Sequence, residues 1–245
     1  MPTSDEKIEH SRTFGKEHVT PEERDRRMRE TFRVLAPHYD RLCDVMTFGL
    51  HRRWRRILAR MVNAHPSRRI LDVAGGPGEV ARTVLAPDRQ VIVVDFSLPM
   101  LLIGRALGPV DLEWVAGGSG ALPFPDSSMD AVTIAFGLRN VTYVGGTLRE
   151  VLRVLRHGGR FYCLEVSQPS KILRPLHHAY CRYALPWLGV HIAHERHAFD
   201  YLVESINGFP GHDEIRDLMQ HVGFREVRYR ALSLGIACIH TGSKA

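Results

Sequence analysis

No stretch of this chain approaches the roughly 18 uninterrupted apolar residues of a membrane-spanning helix, so no transmembrane segment is expected. The opening residues "MPTSDEKIEHSR" lack an apolar core and a small-residue cleavage site, which argues against a secretory leader and for a cytoplasmic location. Cysteine is sparse: Cys43, Cys163, Cys181 and Cys238 are scattered without CxxC spacing, as buried thiols in a reducing compartment would be, and no metal site is assigned. The spaced GxGxxG of dinucleotide binders, the lysine-bearing phosphate loop, internal repeats and low-complexity tracts are missing as well.

The charge that is present is unevenly placed. Residues 1–69 hold 16 Lys+Arg against 10 Asp+Glu, while residues 70–245 hold 17 against 17, so the whole excess precedes the first expected strand. Its densest part, "HRRWRRILARMVNAHPSRR" (51–69), has seven arginines and no acid. Trp54, Ile57, Leu58, Met61 and Val62 form an apolar stripe at helical spacing, with Arg52, Arg53, Arg55, Arg56 and Arg60 on the other faces. Two readings stand: a basic amphipathic helix lying on an anionic membrane surface, or a helix packed on the core with a solvated basic face. No nucleic-acid module surrounds the stripe, so no nucleic-acid partner is expected.

At 245 residues the chain suits one domain with decorations. Thr20-Pro21-Glu22-Glu23 starts a helix, with a threonine cap, proline at the first helical position and glutamate three residues after the cap; Pro37 stops it near Ala36. Short helical pieces broken at Gly49 follow. From residue 68 strands and helices alternate: strand 68–74, helix 79–86, strand 90–96, a helix capped by Ser97, strand "LEWVAG", strand 130–136, a helix "GTLREVLRVLR" stopped at His157-Gly158-Gly159, and strand 160–166. This spacing implies an α/β fold, an open, mostly parallel, doubly wound sheet with helices on both faces. Residues 170–210 break the rhythm with a helical insert, interrupted at Pro186 and Gly189, of the kind that shapes a substrate pocket. "REVRYRAL" and "GIACIHTG", joined by a short turn, close the chain as an antiparallel pair.

Between the first strand and its helix stand Gly75, Gly76, Pro77 and Gly78, where glycine permits a tight turn and close approach of a ligand. Asp95 ends the second strand 20 residues after Gly75, placed to accept hydrogen bonds from both hydroxyls of a ribose. Together they suggest a nucleoside-containing cofactor, and the final antiparallel pair favours S-adenosylmethionine over a nicotinamide. "AFGLRN" (135–140) poses a separate problem: an arginine ending a buried run must reach solvent or face a charge in a pocket.

The stretches "APHYDRLCDVMTFGLHRRWRR", "ILDVAGGPGEVA", "ALPFPDSSMDAVTIAFGLRNV", "REVLRVLRHGGRFYCLEVSQP" and "YLVESINGFP" make the chain resemble, from about residue 12 onward, the ubiquinone/menaquinone biosynthesis C-methyltransferases. The resemblance implies a seven-stranded methyltransferase sheet with an antiparallel final strand, an N-terminal helical lid (20–62), and methyl transfer from S-adenosylmethionine to a ring carbon of a polyprenylated benzoquinol or naphthoquinol. It implies that Arg139 stabilises the ring oxyanion, Asn140 orients the substrate, and Glu79 with Tyr39 takes the phenolic proton. Phe96, Gly118, Ser119 and Ala135 would join the glycine loop and Asp95 around the cofactor. Phe48, Tyr180, Tyr183, Trp187 and Tyr201 would either line a groove for the isoprenoid tail or belong to the core, and the enzyme would be cytoplasmic, with peripheral contact at the inner face of the membrane left open. A homodimer or a quinone-biosynthesis assembly stays open, as do a divergent paralogue with another acceptor and a non-catalytic scaffold. Against the family pattern, Pro77, Gly118 and Ala135 replace polar side chains that usually touch the cofactor; each lost hydrogen bond is worth about 1 kcal/mol, so weaker cofactor binding is expected unless backbone groups compensate.

Overall fold

Short apolar runs become strands, and the valine- and isoleucine-rich ones at the centre of the sheet are buried on both faces. In the computed structural model, which describes residues 13–14, 17–108, 111–169, 173–185, 201, 203–206 and 208–245, the strands are β1 (Arg69–Val73), β2 (Gln90–Asp95), β3 (Leu112–Ala116), β4 (Met129–Ala135) and β5 (Leu155–Val166). The closing pair is β6 (Arg225–Leu232) and β7 (Ala237–Ser243). The sheet order is β3-β2-β1-β4-β5-β7-β6, parallel through the first five strands and antiparallel where β7 enters between β5 and β6. Side chains alternate across it. Leu71, Val73, Val132 and Ile134 pack on one face with Leu148, Val151, Leu218 and Met219, while Ile70, Val91, Val93 and Ala131 pack on the other with Trp54, Leu58, Val80 and Val84.

The helices on these faces are α3 (Leu50–Asn63), α4 (Glu79–Val84), α5 (Leu98–Leu107), α6 (Val144–Val154) and α8 (His212–Val222), preceded by α1 (Pro21–Leu35) and α2 (Tyr39–Thr47). The described residues of the insert include α7 (Arg174–Ala179), which runs into a π-helical turn at Tyr180–Ala184; Pro186, Trp187 and Gly189 lie outside the described residues. Thr20 caps α1 as expected, its hydroxyl accepting from the Glu23 N–H at 3.2 Å. Phe48 and Gly49, both left-handed at φ 50° and 72°, turn the chain between α2 and α3.

Two expectations need correction. Leu155 and Arg156 belong to β5 and not to the preceding helix: Leu155 pairs with Met129, and a register shift before Ala131↔Arg160 absorbs the glycines. Ser97 precedes α5 without capping it; its N–H donates to Asp95 Oδ1 and its hydroxyl has no partner.

A third apolar cluster joins α1 to α2 and α5, with Met28, Phe32, Leu35, Leu42, Met100 and Tyr201 buried together. Buried Arg24 holds it in place, donating to the Asn140 carbonyl at 3.0 Å and to Thr142 Oγ1 at 3.1 Å. Helix α1 thereby roofs the carboxyl ends of β1, β2 and β4. Strand order reverses between β1 and β4, the place where open α/β sheets bind ligands.

Candidate active site

A cavity of about 190 Å³ opens at that reversal, many times the ~10–15 Å³ one buried water needs, so a ligand fits there. From β1 and its glycine turn come Asp72, Gly75, Gly76 and Pro77; from β2, Asp95 and Phe96; from the end of β3, Gly117 to Gly120, including Gly118 and Ser119; from β4, Ala135, Phe136 and Asn140. Helix α1 supplies Asp25, Met28, Arg29 and Phe32, and Tyr39, Arg55 and Glu79 stand at α2, α3 and α4.

Two acids set the electrostatics. Asp72 is 1% exposed; its Oδ1 accepts from Thr133 Oγ1 at 2.6 Å and its Oδ2 makes no hydrogen bond. Burial raises its pKa from 3.8 to about 6, against the opposing pull of Thr133, the Ala81 N–H that faces it, and Arg55. Asp95 accepts from the Gly76 N–H and the Ser97 N–H, both at 2.8 Å, and burial again lifts it to about 6. Gly75 is required because a Cβ there would come within 2.8 Å of Asp72 Oδ2. Gly78 does not line the cavity: at φ +77°, it faces Trp114, whose ring would lie 2.6 Å from an added Cβ, so its role is packing.

The polar end differs from the expected arrangement at one residue. Arg139 is buried but absent from the cavity wall, because its Nη1 donates to Glu165 Oε1 at 2.5 Å and to the Phe136 carbonyl at 2.8 Å. Glu165, 1% exposed, also accepts from the Arg139 and Val166 N–H groups, so the pair fastens the turn at 138–140 to β5. This resolves the problem of a buried arginine at a strand's end: it faces a charge. Asn140 does line the cavity, its Oδ1 accepting from Tyr201 Oη at 3.2 Å.

A second arginine occupies the wall instead. Arg55, expected on the solvated face of α3, is turned inward beside Trp54 and Leu58 and forms an ion pair with Glu79. Next to them His51, 1% exposed, shares its Nδ1 with Thr47 Oγ1 at 2.8 Å, and its Nε2 lies 3.8 Å from both Asp40 Oδ1 and Asp44 Oδ1. Burial and Arg55 push the imidazole pKa down to about 4, so it is neutral at pH 7. Asp40, His51 and Glu79 bring ligand atoms within 4.8 Å of one another, and the Arg55 guanidinium against Glu79 already supplies a positive charge.

The residues assigned to the tail groove are elsewhere. Phe48 (78% exposed) lies against Tyr180, their rings 5.6 Å apart, and Tyr183 is exposed; neither they nor buried Tyr201, which stacks on Phe14, line the cavity, and Trp187 is outside the described residues. Asp72, Arg55 and the α1 residues were not anticipated. An acid inside an apolar parallel strand was the available signal for Asp72. For Arg55 the signal was its position one residue from Trp54 and three from Leu58.

A seven-stranded sheet of this order with an acidic, glycine-lined cavity at its switch point is the class I methyltransferase fold. Solved structures agree on the fold: an S-adenosylmethionine-dependent methyltransferase from Thermotoga maritima superimposes with TM-score 0.63 at 18% identity, over 89% of this chain and 100% of that one. The cyclase SpnF matches as well, with TM-score 0.57 at 18% identity over 78% and 80% of the two chains, so the fold by itself does not fix the reaction. The chain belongs to the ubiE/COQ5 methyltransferase family, whose model matches residues 20–244. It is 43% identical to the ubiquinone/menaquinone biosynthesis C-methyltransferase UbiE of Rubrivivax gelatinosus, over 96% of this chain and 94% of that protein. It is 35% identical to the mitochondrial 2-methoxy-6-polyprenyl-1,4-benzoquinol methylase of Oryza sativa subsp. japonica, over 96% and 89%.

Proposed function

We propose that this methyltransferase moves a methyl group from S-adenosylmethionine to a ring carbon of a polyprenylated benzoquinol or naphthoquinol. The observation that carries the reading is the unpartnered Asp72 Oδ2, buried in the same wall as Asp95. Two buried carboxylates suit a nucleoside that bears positive charge, with Asp72 taking the ammonium of its amino-acid part and Asp95 the ribose hydroxyls. Gly75, Gly76 and Pro77 leave room beside them, and Phe96, Gly118, Ser119 and Ala135 border the rest of the nucleoside. When bound, the cofactor supplies an electrophilic methyl group on a sulfonium.

The chain's own residues prepare the acceptor. A ring carbon becomes strongly nucleophilic only when the neighbouring hydroxyl ionises, and a phenol's pKa of about 10 makes that unfavourable at neutral pH without help. Glu79 accepts the phenolic proton, Tyr39, whose own pKa burial drives upward, stays protonated and donates a hydrogen bond, and Asn140 orients the ring oxygen. Arg139, held by Glu165, donates to the same Phe136 carbonyl as the Asn140 amide, and its field reaches Tyr39. Alignment of carbon and methyl group then supplies much of the rate.

The tail keeps such a substrate in a bilayer. Arg53, Arg56 and Arg60 stand exposed on α3, and exposed Phe48 marks the turn before it, a surface suited to anionic lipid at the inner face of a membrane. No helix among the described residues is long and apolar enough to cross one. Calorimetric titration with S-adenosylmethionine, followed by mass spectrometry of quinones in a methyltransferase-deficient strain carrying this gene, tests the reading. Restored methylated quinone is expected. Cofactor binding without restoration points to another aromatic acceptor, and no binding at millimolar cofactor leaves only a scaffold.

A further inference from the structure

We infer that Arg55, through its ion pair with Glu79, is the catalytic cation that stabilises the acceptor's ring oxyanion. The assignment rests on the quinol reading of this cavity and names the residue that reading lacks.

The two buried arginines near Tyr39 differ in what they are free to do. Their guanidinium carbons lie 5.8 Å (Arg55) and 5.9 Å (Arg139) from the centre of the Phe136 ring. Arg139 is neutralised by a carboxylate that is 1% exposed and that two backbone N–H groups also hold, so releasing it would leave a buried charge alone. Arg55 is neutralised by Glu79, whose side chain is 27% exposed, and both partners line the cavity. That pair can be exchanged without stranding a charge.

The exchange balances. A ring hydroxyl entering between them loses its proton to Glu79; the O–H electrons stay on oxygen, Glu79 becomes neutral, and Arg55 passes from carboxylate to phenolate. The three groups sum to zero charge before and after, so the step suits a site with little water. After the ring carbon has taken the methyl group, the tetrahedral carbon loses its hydrogen as a proton and the ring oxygen regains one from Glu79, restoring the pair with one proton released overall. Helix α3 holds the guanidinium in place: Trp54 Nε1 donates to Ser233 Oγ at 3.0 Å, and Leu58 is fully buried. The charged and titratable groups facing Arg55 are Tyr39, Cys43 and Asp44 on α2, His51 on its own helix, Glu79 on α4, and Asp72 on β1.

The test is the pH dependence of kcat/KM with a short-tailed demethylquinol for the wild-type enzyme, Arg55→Met, Arg55→Lys and Arg139→Met, with cofactor affinity measured alongside. Arg55→Met is expected to lose about 100-fold at pH 7, with the deficit shrinking as pH rises toward the free phenol's pKa, because the substrate then arrives ionised. Arg55→Lys retains a tenth or more of wild-type activity, and any deficit in Arg139→Met does not vary with pH. If the methionine variant unfolds, Arg55→Gln replaces it. A variant lacking the Arg55 charge that stays within threefold of wild type, or a pH-dependent deficit in Arg139→Met instead, overturns the assignment while leaving the quinol reading intact. A wild-type enzyme that binds cofactor and methylates no quinol removes the reading itself.

Discussion

Replacing Asp72 by asparagine should stabilise the free protein at neutral pH and weaken its hold on the cofactor. The carboxylate is 1% exposed, and burial lifts its pKa from 3.8 to about 6. Between those values the native state keeps a proton that the unfolded chain has released, so stability falls as pH rises through the window and stays low above it. A shift of about two units corresponds to ~3 kcal/mol. The asparagine amide brings its own penalty where Oδ2 now lacks a partner, of order 1–3 kcal/mol, but that offset does not vary with pH. Urea unfolding of both proteins at pH 4 and pH 8 isolates the ionisation: the stability of Asp72→Asn relative to wild type should improve by ~2.5 kcal/mol between the two. Calorimetry should show cofactor affinity reduced at least tenfold. A stability difference that is the same at both pH values, or that moves against the variant as pH rises, refutes the claim that the buried charge is held at the expense of the fold.

Other substitutions test the supports of the site. Glu165→Gln strips the buried Arg139 of its counterion and should destabilise by ~3–5 kcal/mol in urea unfolding; a loss under ~1 kcal/mol would show that the pair does not fasten the 138–140 turn. Gly78→Ala meets both a left-handed φ of +77° and the Trp114 ring at 2.6 Å, so a loss of ~2–4 kcal/mol is expected, partly recovered by adding Trp114→Leu; no recovery would place the whole effect in the backbone. Thr20→Ala removes the cap of α1 and should cost about 1 kcal/mol locally, read as faster amide exchange in the first turn of that helix with the sheet unchanged.

Much of this architecture is legible in the chain because its determinants are local. The apolar β-rich runs at Arg69–Val73, Gln90–Asp95 and Met129–Ala135 are read within one residue of their observed ends, and the glycine turn and Asp95 belong to a single strand-helix-strand unit. The helical pattern of "LREVLRVLR" continues through Leu155, and only pairing with Met129 reveals that the strand begins there. The site is less legible, since its polar end depends on docking. Burial required a counter-charge for Arg139, yet nothing local could name Glu165, 26 residues away on the next strand. Likewise the inward turn of Arg55 follows from how α3 sits on the sheet, and an arginine beside an apolar stripe reads as solvated until that seating is known.

The contact that seats α1 has a consequence for biosynthesis. Arg24 finds its acceptor on Asn140, 116 positions later. At ~5–20 residues added per second, a nascent chain spends roughly 6–23 s between the two. Over that time Met28, Phe32 and Leu35 lack the full cover that Met100 and Tyr201 give them in the folded protein. The helix emerging earlier from the ribosome is thus completed later, and its oily side is the segment that a ribosome-associated chaperone would need to shield.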